Sequence, residues 1–195
     1  MLPSGDDEDG ITFLTNVIMP GDPVEIEVSA FISGSPNITA TLGAWIDLNG
    51  DGDFTDPNEF TVLTLANPAG TGTNITDTIS LIAPADVGET IYSRFRLAFH
   101  PDEVGQNDDS AGEARSGEVE DYVLMSLGNR IWQDTGVGGG TADNGVLDGS
   151  EQGIDGVAVE LYRDGDTPGV SPPLAMITPT NGGYYTFTGL LEDDY

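Results

Sequence analysis

The chain of 195 residues contains no cysteine. Disulfides, thiolate zinc sites and cysteine nucleophiles are therefore all excluded. A secreted domain without disulfides needs another way to tie its loops together. Calcium bound by carboxylates is the cross-link that remains.

Lysine is absent as well. Five basic residues, all of them arginine, stand against 34 Asp and Glu, and the formal net charge is −29. Such a surface repels phosphate backbones and anionic lipid headgroups, so we expect no nucleic-acid partner. No apolar run approaches the length of a membrane span, so we expect no membrane insertion. Divalent cations are the natural partners of this composition.

The chain is equally poor in the residues of an active site. His100 is the one histidine, and it lies in a Phe-His-Pro turn without a serine motif or zinc-ligand spacing around it. Paired carboxylates of the kind that glycosidases use are abundant, but among 34 acids they carry little information. We therefore predict that the protein is not an enzyme.

What the sequence does contain is a series of short strand patterns without a convincing helix. Apolar and polar residues alternate over short runs that Gly, Pro, Asn and Asp separate. The candidate strands are Ile11–Met19, Val24–Ile32, Ile38–Ile46, Phe60–Leu65, Ile75–Ile82, Thr90–Phe99 and Val119–Leu127, then a new strand opening at Gly128, Val157–Tyr162 and Gly183–Thr188. This pattern predicts an all-β protein of two consecutive Ig-like β-sandwich domains, residues 1–126 and 127–195.

The segment after the third candidate strand has the pattern of a calcium loop. Asp47, Asn49 and Asp51 occupy positions 1, 3 and 5, and Gly52 turns the chain at position 6. Asp53 would offer its backbone carbonyl at position 7, and Glu59 would clamp the ion with both oxygens. The sequence therefore predicts a Ca²⁺ site here, because like charges about 5 Å apart cost on the order of 3 kcal/mol without a cation.

Two alternatives stay open for this loop. It could be an acidic, Gly-rich surface turn without an ion, whereas magnesium is disfavoured because it requires a strict octahedron. Glu59 also stands at position 13 rather than 12. Either Pro57 bulges the loop, or another acid such as Asp56 closes it.

The first part of the chain resembles the bacterial extracellular GEVEDY domain. The resemblance is carried by Asp6-Asp-Glu-Asp-Gly-Ile-Thr-Phe13, the loop from Trp45 to Glu59, and Gly117-Glu-Val-Glu-Asp-Tyr122. It implies a secreted β-sandwich found near the ends of very large surface proteins. From the residues themselves, we expect Arg94 and Arg96 to form a ladder with Glu118 and Glu120 across the sheet. The alternative is that one of these two glutamates reaches a calcium ion.

The second part resembles the calcium-binding B-repeat of serine-aspartate repeat adhesins, which has a Cna-B-like sandwich. The matching segments begin at Leu127, Asn144, Gly153 and Gly183. The resemblance implies that calcium is bound by a second set of residues: Asp134, Asn144, Val146, Asp148 and Glu151. The segment from Gly136 to Ala142 stretches this loop, so Asp143 is an alternative ligand. An internal Lys–Asn isopeptide bond, found in many Cna-B-like domains, is impossible without lysine.

Together these features predict a calcium-stabilised structural module of a large secreted bacterial surface protein, such as a fibre, a sheath, an S-layer or an adhesin stalk. The alternative is an adhesive module that binds a glycan or a protein. The expected location is extracellular, at the cell surface. The expected partners are calcium and copies of the chain itself or neighbouring domains of the same parent protein. We expect the chain to be an excised piece whose second sandwich lacks its last strand.

Overall fold

The computed structural model describes residues 10–32, 37–67, 72–99, 104 and 117–191. Within these ranges the protein is all-β and contains no helix, so none is available to cross a membrane, and the predicted fold class is confirmed. The strands are β1 (Ile11–Phe13), β2 (Pro23–Ile32), β3 (Ile38–Asp47), β4 (Phe60–Asn67), β5 (Thr73–Ile82), β6 (Ile91–Ala98), β7 (Glu118–Arg130), β8 (Val159–Leu161), β9 (Ala175–Ile177) and β10 (Tyr184–Leu190).

Two sheets enclose the main core. A three-stranded sheet has the order β1-β2-β5, and a five-stranded sheet has the order β10-β7-β6-β3-β4. Along β2 the buried positions alternate with more exposed ones, from Val24 to Ile32, as a sheet with one face on the core requires. Phe13, Phe95 and Tyr122 meet edge to face in this core, with ring centroids 5.7 to 6.1 Å apart. A separate two-stranded sheet is formed by β8 and β9.

β7 connects the N-terminal part of the chain (10–126) with the C-terminal part (127–191). This strand has 13 residues. Its first section, Glu118 to Leu124, pairs with β6, and the section from Met125 to Arg130 pairs with β10. The predicted division between residues 126 and 127 therefore falls inside a continuous strand. The new strand that was predicted to open at Gly128 is the end of β7, so that prediction is wrong.

The predicted strand from Ile11 to Met19 is too long. β1 ends at Phe13, after which the backbone N–H groups of Leu14 and Thr15 both donate to the carbonyl of Glu25. The chain then crosses to β10, where the N–H of Ile18 donates to the carbonyl of Thr188 at 2.8 Å. The first apolar run thus serves two sheets, which its alternating pattern does not reveal. The short β9 was not predicted at all.

Two acidic loops as candidate calcium sites

The first acidic loop, loop 1 (residues 47–59), follows β3 and wraps around its last residue. Asp47 is 1% exposed. Its Oδ1 accepts hydrogen bonds from the N–H groups of Gly50 at 2.7 Å and Asp51 at 3.1 Å, and its Oδ2 accepts one from Gly52 at 3.0 Å. A buried carboxylate needs such donors or a cation. Position 1 of the predicted loop is therefore its structural centre.

The next acidic and amide side chains of loop 1 form a regular series. Asn49 accepts the N–H of Asp51 at 3.0 Å, Asp51 accepts that of Asp53 at 3.1 Å, and Asp53 accepts that of Thr55 at 2.8 Å. The bonds to the Thr55 backbone and hydroxyl lower the pKa of Asp53. Each side chain thus holds the backbone two residues ahead. The alternate spacing seen in the sequence is the spacing of these turns.

Glu59 closes loop 1. Its side chain is 2% exposed, and its Oε1 and Oε2 accept the N–H groups of Asn49 at 3.3 Å and Asp56 at 3.4 Å. Burial raises the pKa of Glu59, and the negative charges of Asp47 and Asp56 raise it further. Asn58, which precedes it, has a φ of 74°. This left-handed turn accommodates the extra residue that places Glu59 at position 13.

The second acidic loop, loop 2 (residues 134–151), begins at Asp134. Its Oδ2 accepts the N–H of Gly145 at 2.7 Å, just as Asp47 accepts Gly52. Both glycines have positive φ, 72° and 94°. Oδ1 of Asp134 is buried and has no hydrogen-bond partner among the described residues. A buried carboxylate oxygen without a partner is energetically costly.

Glu151 closes loop 2 and is 5% exposed. Its Oε1 accepts the N–H groups of Thr135 at 2.9 Å and Gly136 at 2.8 Å, and its Oε2 accepts that of Asp148 at 3.2 Å. Both the start and the end of the loop are therefore fixed to this one carboxylate.

The Gly-rich insertion of loop 2 folds back over Asp148. The N–H of Thr141 donates to Oδ1 of Asp148 at 3.1 Å, and a Cβ at Gly140 would overlap that same oxygen. Asn144 also donates to Asp148, at 3.1 Å. Asp143 has a φ of 57° and turns the chain between them.

Three of the five predicted residues of loop 2 are joined by hydrogen bonds, because Asp148 accepts the side chain of Asn144 and donates its N–H to Glu151. The fourth, Asp134, accepts the N–H of Gly145, which follows Asn144. The fifth, Val146, is 58% exposed, and its N–H donates to Asn144 at 2.7 Å. Its side chain lies outside this set, so any ligand that it offers is its backbone carbonyl.

Both loops end in the same turn, which the sequence reading missed. In Asp56-Pro-Asn-Glu59 and in Asp148-Gly-Ser-Glu151, the glutamate N–H donates to the aspartate carbonyl, at 3.2 and 3.3 Å. In each case Oδ2 of the aspartate accepts a hydrogen bond from an asparagine side-chain amide, at 2.7 and 3.1 Å. Asp56 therefore corresponds to Asp148. The shared Asp-x-x-Glu spacing was the available signal.

The donor set of both loops suits a hard cation. Carboxylate, amide and carbonyl oxygens are the ligands of Ca²⁺, and thiolate and imidazole ligands of softer metals are absent from both loops. The buried Oδ1 of Asp134 fits the same reading. Within the described residues, however, no three His, Cys, Asp or Glu side chains converge closely enough to hold a metal ion. Calcium therefore stays a prediction.

The GEVEDY motif has a structural role in the sheet. Arg94 donates through Nε and Nη2 to both oxygens of Asp121, at 2.6 and 2.5 Å. The predicted ladder with Glu118 and Glu120 is wrong, because the register places Arg94 opposite Asp121.

Glu120 lies on the inner face of this sheet and is 6% exposed. It accepts the Tyr122 hydroxyl at 2.7 Å and the N–H of Gly10 at 3.3 Å, so it fixes the start of the described chain. Asp6 to Asp9 and His100 lie outside the described residues.

Comparison with known proteins finds a family match for each of the two parts. Residues 41–125 match the GEVED domain, and residues 125–195 match the SdrD B-like domain. This confirms both predicted resemblances and their order, and the two matches meet within β7. Neither is a family of enzymes, and SdrD B-like domains occur in cell-surface proteins.

Among curated proteins, Colossin-B of Dictyostelium discoideum is 32% identical over 74 residues, which is 36% of this chain and 2% of that protein. The chain thus spans a very small share of this relative. No solved structure matches the chain.

Proposed function

We propose that this chain is a calcium-stabilised structural module of a large secreted bacterial surface protein. The observation that carries the proposal is the common closure of the two loops. Two loops of different length and sequence each bury a glutamate against an Asp-x-x-Glu turn. Burying a carboxylate is costly unless donors or a cation compensate it. A loop that serves only as a turn does not require a buried closing glutamate.

Calcium in these loops would act as disulfides do in other secreted domains. Loop 1 joins the end of β3 to the start of β4, and the N–H of Gly88 in the β5–β6 connection donates to Leu48 beside it at 2.9 Å. An ion there would hold three segments at one end of the sandwich. The base of loop 2 is closed by one backbone hydrogen bond, since the N–H of Gln133 donates to the carbonyl of Gln152 at 2.9 Å.

The contacts between the two parts favour a stiff segment. Thr188 donates its hydroxyl to the carbonyl of Ile18 and accepts the N–H of the same residue. Gly189, with a φ of 70°, lies so close to Ile18 that a Cβ would overlap its side chain. Arg163 reaches Asn16 at 3.2 Å. A module whose parts share a strand and these contacts suits a fibre, a sheath, an S-layer or a stalk.

Native mass spectrometry tests the calcium part of the proposal. We expect two bound calcium ions in calcium-containing buffer and none after EDTA treatment. Variants at Asp47 and Asp134, changed to Ala one at a time, should each bind one ion fewer. A wild-type protein that carries no metal under any condition would rule the proposal out.

Calorimetry tests the stiffness. The wild type should unfold in a single transition, because the buried Thr188 contact couples the two parts. Thr188→Val should weaken that coupling and broaden or split the transition. Thr186→Val is the matched control, since Thr186 lies on the same strand and is exposed. Two separate transitions in the wild type would show that the parts are independent.

A further inference from the structure

A groove of about 490 Å³ lies where the two parts of the chain meet. Its walls come from the connection between β1 and β2, the connection between β5 and β6, the end of β9, the connection between β9 and β10, and the strand β10. Ligand sites are often found at such junctions, and this volume lies within their usual range of about 300–1,000 Å³. Neither loop 1 nor loop 2 lines this groove.

Tyr184 offers this groove a fixed aromatic surface. The residue is 59% exposed and lines the groove. The guanidinium of Arg130 lies 4.9 Å from the centre of its ring, and Nε of Arg130 donates to the carbonyl of Gly182 at 2.8 Å. One side of the ring is thus covered by a side chain that is itself anchored. The surface that remains exposed is a flat apolar platform.

Polar groups surround this platform. Asn181, Glu89 and Thr186 are exposed at the groove and supply an amide, a carboxylate and a hydroxyl. Met19, Pro20 and Val87 add apolar surface to the lining of the groove. A ligand that fits must therefore present an apolar face to a ring and hydrogen-bonding groups at its edge.

Charge narrows the class of ligand further. The net charge of −29 and the carboxylate of Glu89 disfavour an anion. A cation is disfavoured at Tyr184, because Arg130 already lies over the ring and adds a positive charge there. We propose that the groove binds a neutral oligosaccharide, with Tyr184 as the stacking platform and Asn181 and Glu89 as hydrogen-bonding partners. A ligand without hydrogen-bonding groups would leave these polar groups without partners.

An array of neutral and sialylated oligosaccharides, followed by calorimetric titration of the best neutral trisaccharide, tests the proposal. Tyr184→Ala should weaken binding about tenfold, because one aromatic stacking contact and its buried area are lost. Asn181→Ala should also weaken it. Tyr92→Ala is the matched control, since Tyr92 is 54% exposed and lines a different groove beside Arg94 and Asp121. That variant should bind as the wild type does.

Several results would overturn the proposal. These are an array on which no neutral saccharide binds, binding of sialylated glycans alone, and equal affinity of the wild type and Tyr184→Ala. Loss of binding in Tyr92→Ala instead would assign the ligand to the other groove. Capture of an apolar peptide that competes with the trisaccharide for Tyr184 would reassign the class of ligand. Melting temperatures of the variants, measured with calcium present, report on the structural proposal independently of saccharide binding. The two proposals can therefore fail separately.

Discussion

Loop 1 and loop 2 differ in which acid the chain itself holds. In loop 1 the first acid, Asp47, accepts three backbone N–H groups, whereas the closing Glu59 accepts two long hydrogen bonds of 3.3 and 3.4 Å. In loop 2 the closing Glu151 accepts three, between 2.8 and 3.2 Å. There the first acid, Asp134, accepts one and has a buried oxygen without a partner. The less well compensated acid is therefore the last one in loop 1 and the first one in loop 2.

The lengths of the loops add to this difference. Loop 1 places its oxygens within 13 residues, and loop 2 needs 18 residues with a Gly-rich insertion. Ordering a longer, glycine-rich segment costs more conformational entropy. If calcium binds both, we expect loop 1 to bind more tightly and loop 2 to fill at higher concentration.

Removing calcium should have the largest effect on stability. Ions present at about 100 times their dissociation constants would contribute roughly 2.7 kcal/mol each, so EDTA should remove about 5 kcal/mol. Thermal melts recorded during a calcium titration should rise in two steps, with the loop 1 step first. An Asp47→Ala variant should lose the first step and Asp134→Ala the second. An unchanged melting temperature in EDTA would contradict calcium stabilisation of either loop.

When calcium is absent, replacing the two closing glutamates should change the free energy of unfolding by different amounts. In EDTA, Glu151→Gln should destabilise the protein by about 2 kcal/mol, because an amide cannot accept all three hydrogen bonds of a buried carboxylate. Glu59→Gln should cost less than about 1 kcal/mol, since its bonds are long and removing a buried charge is favourable. Urea unfolding of both variants measures the difference. Equal losses would mean that the hydrogen-bond lengths do not distinguish the loops.

Acid should reveal the state of Glu59. Its pKa is raised above the ordinary 4.5 in the folded protein, so the folded state binds the proton more strongly than the unfolded state does. Without calcium, the Glu59 contribution is therefore most favourable below pH 4.5 and is lost as the pH rises through the raised pKa. With calcium bound, protonation should instead release the ion and reduce stability.

Melts of the two forms between pH 4 and pH 7 check this expectation, with Glu59→Gln as the control. This control separates the contribution of Glu59 protonation to stability from the contribution of reduced charge repulsion across the whole protein on acidification. The calcium-free wild type should gain more stability on acidification than the calcium-free variant. Identical pH profiles with and without EDTA would exclude ion release as the cause.

Much of this architecture could be predicted from the sequence, because alternating burial has a period of two that survives along β2 and at the start of β6. The continuity of β7 could not. Gly128 and Asn129 resemble a turn, yet here they continue the strand opposite Thr186 and Tyr185 of β10. A partner more than 50 residues away decided the outcome, and local propensity does not contain that information.

The candidate site likewise has features that the sequence could predict and features that it could not. The spacing of Asp47, Asn49 and Asp51 predicts a set of calcium ligands, and that stays a prediction. The structure shows that Asn49 and Asp51 each bond to the backbone two residues ahead, whereas Asp47 bonds to the backbone three to five residues ahead. The register of Arg94 with Asp121 was not predictable, because Glu118, Glu120 and Asp121 are close in sequence and a shift of one residue exchanges the two faces of the sheet. The correspondence of Asp56 with Asp148 could have been found from the shared Asp-x-x-Glu spacing, and the hydrogen bonds of both loops establish it.

The smallest effect concerns the two aspartates on either side of Thr55. Asp53 uses its side chain to hold the Thr55 backbone and hydroxyl, a task that an asparagine oxygen can also perform. Asp56 stands where Asp148 stands in loop 2, next to the closing glutamate. We expect Asp56→Asn to weaken calcium binding to loop 1 about tenfold, or roughly 1.4 kcal/mol, and Asp53→Asn to change it by less than about threefold. Both variants remove one negative charge from the same loop, so calorimetric titrations of the pair isolate position from charge. If the two affinities fall equally, the loop attracts calcium by its total charge, and the correspondence between Asp56 and Asp148 has no part in binding.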